Sequence, residues 1–169
     1  MKVTVIANIS ANGKVLLSDH PHHQLPPEAM EFYLEFAKKV GNLVIGLKTF
    51  ENFLNFPQEV KEHFSGIEIV ILSEKPYVSK GYKTVESPEE AIEYMSEKGL
   101  QEMAVGGGTG AFNAFIDKDL VTDIYFNIHP LITGVGGVLG NSSELNSKFK
   151  HKEYNLKDGF LQLHLSKED

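Results

Sequence analysis

The feature that most limits the fold of this chain is a regular alternation of short apolar runs with helix-forming segments. The runs are rich in β-branched residues, as buried strands are, and they cover residues 3–9, 43–46, 67–72, 103–105 and 124–128. Strands separated by helices need crossover connections, which place the strands parallel in one sheet. The alternation therefore predicts a largely parallel α/β sheet.

The clearest helix is predicted over residues 27–40. Pro27 suits the first helical position, and Gly41 suits the residue after the last one. The apolar positions between them recur at the spacing of one helical face: Ala29, Phe32, Tyr33, Phe36, Ala37 and Val40. Further helices are predicted over residues 48–54, 88–98 and 111–116, the second of them with Ser87 in a capping box.

The last part of the chain is typical of a β-hairpin. Residues 150–156 and 160–165 flank an Asp158-Gly159 turn, so these two strands are expected to be antiparallel. Residues 14–17 are expected to form one more short strand. We therefore predict a single domain over residues 1–169, with three layers in the order α/β/α and a mixed, mainly parallel sheet that has an antiparallel C-terminal hairpin.

Composition excludes several classes of protein. The 169 residues include no cysteine, which rules out disulfides and thiolate metal sites and favours a cytoplasmic location. The net charge of −7 argues against nucleic acid as a partner. No apolar run approaches the ~20 residues that span a membrane, and no signal peptide is expected. All 16 basic side chains are lysine, so the chain lacks the residue that usually binds phosphates with two parallel hydrogen bonds.

A glycine-rich segment follows the predicted strand 103–105 and precedes a predicted helix. Its members are Gly106, Gly107, Gly108, Thr109 and Gly110. Glycines let the backbone approach a phosphate closely, and a helix N-terminus supplies free N–H groups there. Phosphate binding is the favoured interpretation, and a tight turn between strand and helix is the alternative. The segment matches neither the dinucleotide-binding fingerprint nor the phosphate-binding loop that ends in Gly-Lys-Ser/Thr.

Two other strand ends carry residues that suit phosphate. Gly46, Lys48 and Thr49 lie where a strand meets a short helix, although an ordinary helix cap would use the same residue types. Ser73 and Lys75 follow the strand 67–72, where an ordinary solvated turn is the alternative. Three such junctions at the carboxyl ends of adjacent strands would form a crevice for a dinucleotide.

Glu28 is the candidate general acid. It stands one turn before Phe32 at the start of the clearest helix, so it is expected to project towards whatever the apolar face covers. Burial there would raise the pKa of its carboxyl and allow proton transfer near neutral pH. The alternative is a carboxylate that interacts only with the helix dipole. The run Asp19-His20-Pro21-His22-His23 lacks helical ligand spacing, and no metal site is predicted.

Four motifs in this order resemble the dihydrofolate reductase-like superfamily, and above all the reductase domain of riboflavin biosynthesis. They are Val5-Ile6-Ala7-Asn8-Ile9-Ser10-Ala11-Asn12-Gly13-Lys14, Pro27-Glu28-Ala29 followed by Gly46-x-x-Thr49, Gly106-Gly107-Gly108-Thr109, and Leu120–Tyr125 with His129–Gly134. Leu25-Pro26-Pro27-Glu28 is also similar to the segment that carries the acid of dihydrofolate reductases.

The resemblance implies NADPH as the hydride donor and a pyrimidine or pterin ring as the acceptor. On the cofactor side it implies Gly46, Lys48, Thr49, Ser73, Gly107, Gly108 and Thr109. Further cofactor candidates are Ala7, Lys75, Gly106 and Gly110, and the position of Ser73 and Lys75 at a strand end makes them the candidates for the 2′-phosphate. On the substrate side it implies Asn12, Lys14, Glu28 and Phe32. Without arginine, lysines alone would hold a substrate phosphate, and Lys14 is the first candidate.

The function implied is reduction of a pyrimidine, as in 5-amino-6-(5-phosphoribosylamino)uracil reductase. A pterin reductase such as dihydrofolate reductase is the first alternative, and a nucleotide-binding domain without catalysis is the second. A homodimer is also expected. The alternating segment 160–165 has one apolar face that a domain of this size would not fully cover, and the riboflavin-type relatives pair.

Overall fold

A computed structural model describes residues 1–168 of the chain. The strands are β1 (Lys2–Ser10), β2 (Asn42–Gly46), β3 (Glu68–Leu72), β4 (Lys83–Val85), β5 (Glu102–Gly107), β6 (Asp123–His129), β7 (Phe149–Lys157) and β8 (Phe160–Lys167). The helices are α1 (Pro27–Val40), α2 (Leu47–Leu54), α3 (Gln58–Glu62), α4 (Pro88–Glu97) and α5 (Thr109–Ile116).

The eight strands form one sheet in the order β4-β3-β2-β5-β1-β6-β8-β7. Every pair from β4 to β6 is parallel, whereas β8 runs antiparallel to both β6 and β7. The mixed sheet with an antiparallel C-terminal hairpin is therefore as predicted. Because β1 and β5 lie in the middle, their ends are surrounded by neighbouring strands on both sides.

Two apolar cores cover the two faces of the sheet. On one face, Met95 of α4 and Phe115 of α5 join a core that includes Val5 of β1. On the other face, Phe36 of α1 and Phe50 of α2 belong to a second core. Helices thus lie on both sides of the sheet, which gives the predicted α/β/α layering.

The ends of α1 follow from its sequence. Pro27 occupies the first turn, and Gly41 adopts the left-handed conformation with φ 79°, in which its N–H donates to the carbonyl of Ala37. At α4, the Ser87 hydroxyl accepts a hydrogen bond from the Glu90 N–H, as predicted for the cap. The Glu90 carboxylate reaches back to the Glu86 N–H rather than to that of Ser87, so the capping box is not reciprocal.

One local prediction is wrong, and two short elements were not predicted. The apolar pattern did not indicate β4, which has only three residues, or α3, which is short and has no buried residue. Residues 14–17 do not form a strand: Val15 makes a single antiparallel bridge to Ile9 and is buried beside β1.

Among residues 1–168, no helix has both the length and the apolar composition needed to cross a membrane.

Candidate active site

Two glycine-capped helices begin side by side at the carboxyl ends of β2 and β5. Gly46 is the N-cap of α2 and Gly108 is the N-cap of α5, and in neither case does a side chain cap the helix. Ile45 pairs with Gly107 across the sheet, so the two helix starts are neighbours. The first N–H groups of each helix have no partner within it and are available to an anion.

Several of the glycines allow the backbone and side chains to approach closely here. A methyl group on Gly108 would lie 3.0 Å from Thr49 Oγ1, and one on Gly46 would lie 3.6 Å from the Ala111 side chain. Gly107 has φ +140°, a conformation that favours glycine, and its peptide bond to Gly108 is cis. The segments around Gly46 and Gly108 therefore form one continuous surface, as expected for adjoining junctions.

The other members of the glycine run have different surroundings. A Cβ on Gly106 would lie 2.3 Å from the Tyr33 hydroxyl oxygen, so this glycine makes room for an α1 side chain rather than for a phosphate. Gly110 is exposed with open space around it. The Thr109 side chain packs against Gly137 in the segment that follows β6.

The third junction follows β3, which is the neighbour of β2, so the structure brings all three predicted junctions to one edge of the sheet. The Ser73 hydroxyl is buried and donates to the Lys75 carbonyl oxygen at 2.8 Å. Because its hydrogen is already used, this hydroxyl has none to donate to a phosphate. The Lys75 and Lys48 side chains are exposed, whereas Ala7 is fully buried in β1.

A cavity of about 110 Å³ opens between α1, α2 and the ends of β1 and β5. Its apolar wall includes Leu16, Leu17, Leu25, Ala29, Met30, Leu43, Ile45, Phe53, Phe56, Phe64 and Ile69. Its polar lining consists of Asn8, Ser18, Asp19, Tyr33, Thr49 and Asn52, beside Gly106 and Gly107. Asp19 is the one carboxylate that the described residues 1–168 contribute to this lining. Burial raises the pKa of the Tyr33 hydroxyl, which keeps it protonated.

On α1, the face towards the cavity is shifted by one residue from the prediction. Ala29, Met30 and Tyr33 line the cavity, whereas Phe32 packs 5.0 Å from the Tyr125 ring over the neighbouring part of the sheet. Glu28 is exposed and outside the lining, so the burial on which its predicted proton transfer depended is absent.

Asn12 and Lys14, the other predicted substrate residues, also lie outside the cavity lining. The Asn12 carboxamide donates to the Thr133 carbonyl and accepts from the Thr133 N–H, so it fixes the segment after β6 to the first turn of the chain. Lys14 is half-buried beneath that segment, with its Cβ beside Gly136. Asn12 thus has a structural role in this conformation.

A buried polar chain that the sequence analysis did not identify runs from the cavity along the sheet. Gln162 donates to Asn127 Oδ1 at 3.0 Å, and Asn127 donates to Asn8 Oδ1 at 3.1 Å. His129 Nε2 lies 2.9 Å from the same Asn8 oxygen. Burial, aided by the nearby His23, lowers the pKa of His129 to about 4. These residues lie in strands whose other residues are mostly apolar. A polar residue at an inward-facing position is the one signal that could have identified them from the sequence.

The histidine run lies close to this chain. The His23 and His129 rings pack edge to face with their centres 5.1 Å apart. Within residues 1–168, no three histidine, aspartate or glutamate side chains are grouped so that they could hold a metal ion.

Comparison with known proteins places the fold. No family model and no curated protein matches the sequence. A candidate riboflavin biosynthesis protein from Shewanella sp. PV-4 has 18% identity and a TM-score of 0.75, over 100% of both chains. A pyrimidine reductase-like protein from Corynebacterium diphtheriae has 12% identity and a TM-score of 0.77, over 99% of this chain and 92% of that one.

The dihydrofolate reductase of Enterococcus faecalis, solved with NADP(H) and RAB-propyl, has 19% identity and a TM-score of 0.74, over 99% of this chain and 97% of that one. The chain has the dihydrofolate reductase-like fold. The resemblance drawn from the motifs is thereby confirmed for the fold. In this dihydrofolate reductase-like fold, the glycine junctions and the cavity lie next to each other and share Thr49, Gly106 and Gly107.

Proposed function

We propose that this chain is an NADPH-dependent reductase that transfers hydride to a pyrimidine-type substrate, in the manner of 5-amino-6-(5-phosphoribosylamino)uracil reductase. The observation that supports this most directly is the pair of glycine-capped helix starts beside a preformed, largely apolar cavity. An anion-binding edge and a slot for a flat ring are the two parts that such a reaction requires.

The residues present fit a dinucleotide cofactor. The uncapped N–H groups of α2 and α5 suit a diphosphate, and Thr49 adds a hydroxyl at the point where both helices meet. Lys48 and Lys75 are exposed cations at this edge, and Lys75 is our candidate for the 2′-phosphate. When bound, the nicotinamide would supply the hydride.

The cavity residues would hold the acceptor ring and deliver the accompanying proton. Phe53 and Phe56 offer apolar contact for a ring, and Asn8 offers a polar contact at its edge. The Asp19 and Glu28 side chains are both exposed, but of the two only Asp19 lines the space that the substrate would fill, so the cavity favours Asp19 over the Glu28 that the sequence suggested. We propose Asp19 as the proton donor.

Two further proposals accompany this one. Pterin reduction is the second candidate, supported by the likeness to the Enterococcus faecalis dihydrofolate reductase. A homodimer is proposed because apolar side chains of β7 and β8 remain exposed, among them Tyr154 and Leu156.

The test is to measure binding of NADPH to the purified protein by calorimetry and then its oxidation with 5-amino-6-(5-phosphoribosylamino)uracil or dihydrofolate as acceptor. We expect NADPH to bind and the pyrimidine to be reduced faster than dihydrofolate. Faster reduction of dihydrofolate would favour the pterin reductase. Binding without turnover on either acceptor would favour a non-catalytic nucleotide-binding domain, and failure of NADPH to bind would refute the proposal.

A further inference from the structure

The carboxamide of Asn8 stands at the cavity end of the polar chain. Its oxygen accepts a hydrogen bond from Asn127 and lies 2.9 Å from His129 Nε2. Asn8 itself lines the cavity and is half-buried. Because its oxygen is engaged by two side chains of β6, the NH₂ group is the part of the carboxamide that is available to a ligand.

The direction of this chain of hydrogen bonds depends on His129. If all three carboxamides were turned over, the Asn8 NH₂ group would face His129 Nε2, and the imidazole proton would have to sit on Nδ1. His129 has no exposed surface, and its Nδ1 has no hydrogen-bond partner among residues 1–168. A buried N–H without a partner costs more than an acceptor left unpaired, so the proton belongs on Nε2.

Two more features hold the arrangement in place. Asn127 is fully buried and Gln162 is 5% exposed, so neither carboxamide can exchange its partner for bulk water. Both strands that carry them are paired along their length, since Asn127 lies opposite both Asn8 and Gln162 in the sheet register. The three side chains therefore occupy one rung across β1, β6 and β8.

We propose that Asn8 is a specificity-determining residue that selects ring substrates with a carbonyl oxygen or similar acceptor at the cavity wall, and that His129 is the positioning residue that fixes its orientation. The proposal deepens the proposed function and rests on it in one respect, namely that the cavity is the substrate site. It assigns the substrate class as oxo-pyrimidines rather than amino-pyrimidines, because an exocyclic amino group would meet the Asn8 NH₂ group donor to donor.

Two commercial rings of the same size test this: 5,6-diaminouracil, which carries two oxygen acceptors, and 2,4,5,6-tetraaminopyrimidine, which carries amino groups in their place. We expect the wild-type protein to bind the diaminouracil roughly tenfold more tightly. Asn8→Asp keeps the shape and both inner hydrogen bonds but offers only acceptors, so we expect the preference to reverse. If Asn8→Asp fails to fold, Asn8→Ala should bind both rings equally.

The role of His129 is tested with a matched pair of variants. His129→Gln keeps an N–H donor for Asn8 Oδ1 and should retain the wild-type preference. His129→Leu removes that donor and should reduce the preference to within about threefold, because the carboxamide is then free to turn over. Nitrogen NMR of the wild-type protein should place the imidazole proton on Nε2.

The outcomes separate this inference from the proposed function. If NADPH does not bind but the ring preference is present and reverses in Asn8→Asp, the reductase proposal fails and the inference stands. If NADPH binds but the wild-type protein prefers the tetraaminopyrimidine, binds both rings equally or binds neither, the inference is overturned. A proton on Nδ1 of His129 would also overturn it.

Discussion

At the scale of single residues, His129 links the polar chain to the acid stability of the protein. Its folded-state pKa of about 4 lies below the 6.5 of an exposed imidazole, because burial penalises the charged form and His23 adds repulsion. Between these values the unfolded chain binds more protons than the folded one. The folded state is therefore favoured above about pH 6.5 and loses stability as the pH falls towards 4.

We expect wild-type protein to lose roughly 2 kcal/mol more unfolding free energy than His129→Gln between about pH 7 and about pH 4.5. Urea unfolding at the two pH values measures this difference. The comparison with His129→Gln removes the contribution of all other groups that titrate in the same range. Equal losses in the two proteins would mean that His129 keeps an ordinary affinity for protons in the folded state.

The two candidate acids can be compared directly. Asp19 lines the cavity, whereas Glu28 lies outside its lining. We expect Asp19→Asn to lower the single-turnover rate of NADPH oxidation roughly 10²–10⁴-fold, as the loss of a general acid does. Glu28→Gln serves as the control and should stay within about threefold of wild type. The reverse ranking would restore Glu28 as the proton donor.

At the scale of elements, the glycine run contains two glycines whose replacement should have opposite effects. A Cβ on Gly106 would lie 2.3 Å from the Tyr33 oxygen and 2.5 Å from Leu43 Cδ1, so Gly106→Ala forces β5 and α1 apart. We expect it to destabilise the protein by about 1–3 kcal/mol. Gly110 lies in α5 with no atom within 4 Å of a new Cβ, and Gly110→Ala should be neutral or stabilise by up to about 1 kcal/mol. Thermal unfolding of both variants without ligand would reveal the difference, and a stable Gly106→Ala protein would contradict this packing.

A second prediction at the scale of elements concerns the loop after β3. Lys75 is exposed beside the β3 junction, and the neighbouring Ser73 hydroxyl is occupied by the turn. If Lys75 contacts the 2′-phosphate, Lys75→Ala should weaken NADPH roughly tenfold and leave NADH unchanged. Lys80→Ala changes the charge equally in the same connection and should affect neither cofactor. Calorimetry with both cofactors distinguishes a specific contact from a general loss of positive charge.

At the scale of the whole molecule, the sequence predicted what depends on local pattern. The central strands and the long helices could be located because their apolar residues recur at the period of their own element. The glycine run could be located because a side chain at Gly106 or Gly108 would lie too close to its neighbours and Gly107 has a positive φ, so that these positions favour glycine.

The cavity lining could not be predicted in the same way, because it depends on how elements meet. The rotation of α1 decides whether Phe32 or Tyr33 faces the cavity, and both belong to its apolar stripe. Asn127 and Gln162 come together only through the pairing of β6 with β8, two strands separated along the chain by the segment after β6 and by β7. The sequence suggested that Asn12 binds the substrate, but its side chain is hydrogen-bonded to Thr133, which follows β6.

The C-terminal hairpin determines how the whole molecule is expected to associate. Phe160 and Gln162 face inward, and the opposite face leaves Leu161 exposed, with Leu156 directly across from it on β7. Leu156 and the nearby Tyr154 are 86% and 76% exposed at the edge of the sheet. Apolar side chains grouped on an edge strand are typical of a surface that pairs with another chain.

We therefore expect the protein to be a homodimer whose contact includes this hairpin, and Leu156→Lys to convert it to a monomer at micromolar concentration. A buried lysine opposite a second apolar face would lose its hydration without gaining a partner, which opposes association. Val78→Lys is the matched control, because Val78 is 94% exposed in the connection after β3, far along the sheet order from β7. Light scattering coupled to size-exclusion chromatography should give the dimer mass for wild type and Val78→Lys and the monomer mass for Leu156→Lys. A monomeric wild type would refute the dimer, and a dimeric Leu156→Lys would move the contact away from this hairpin.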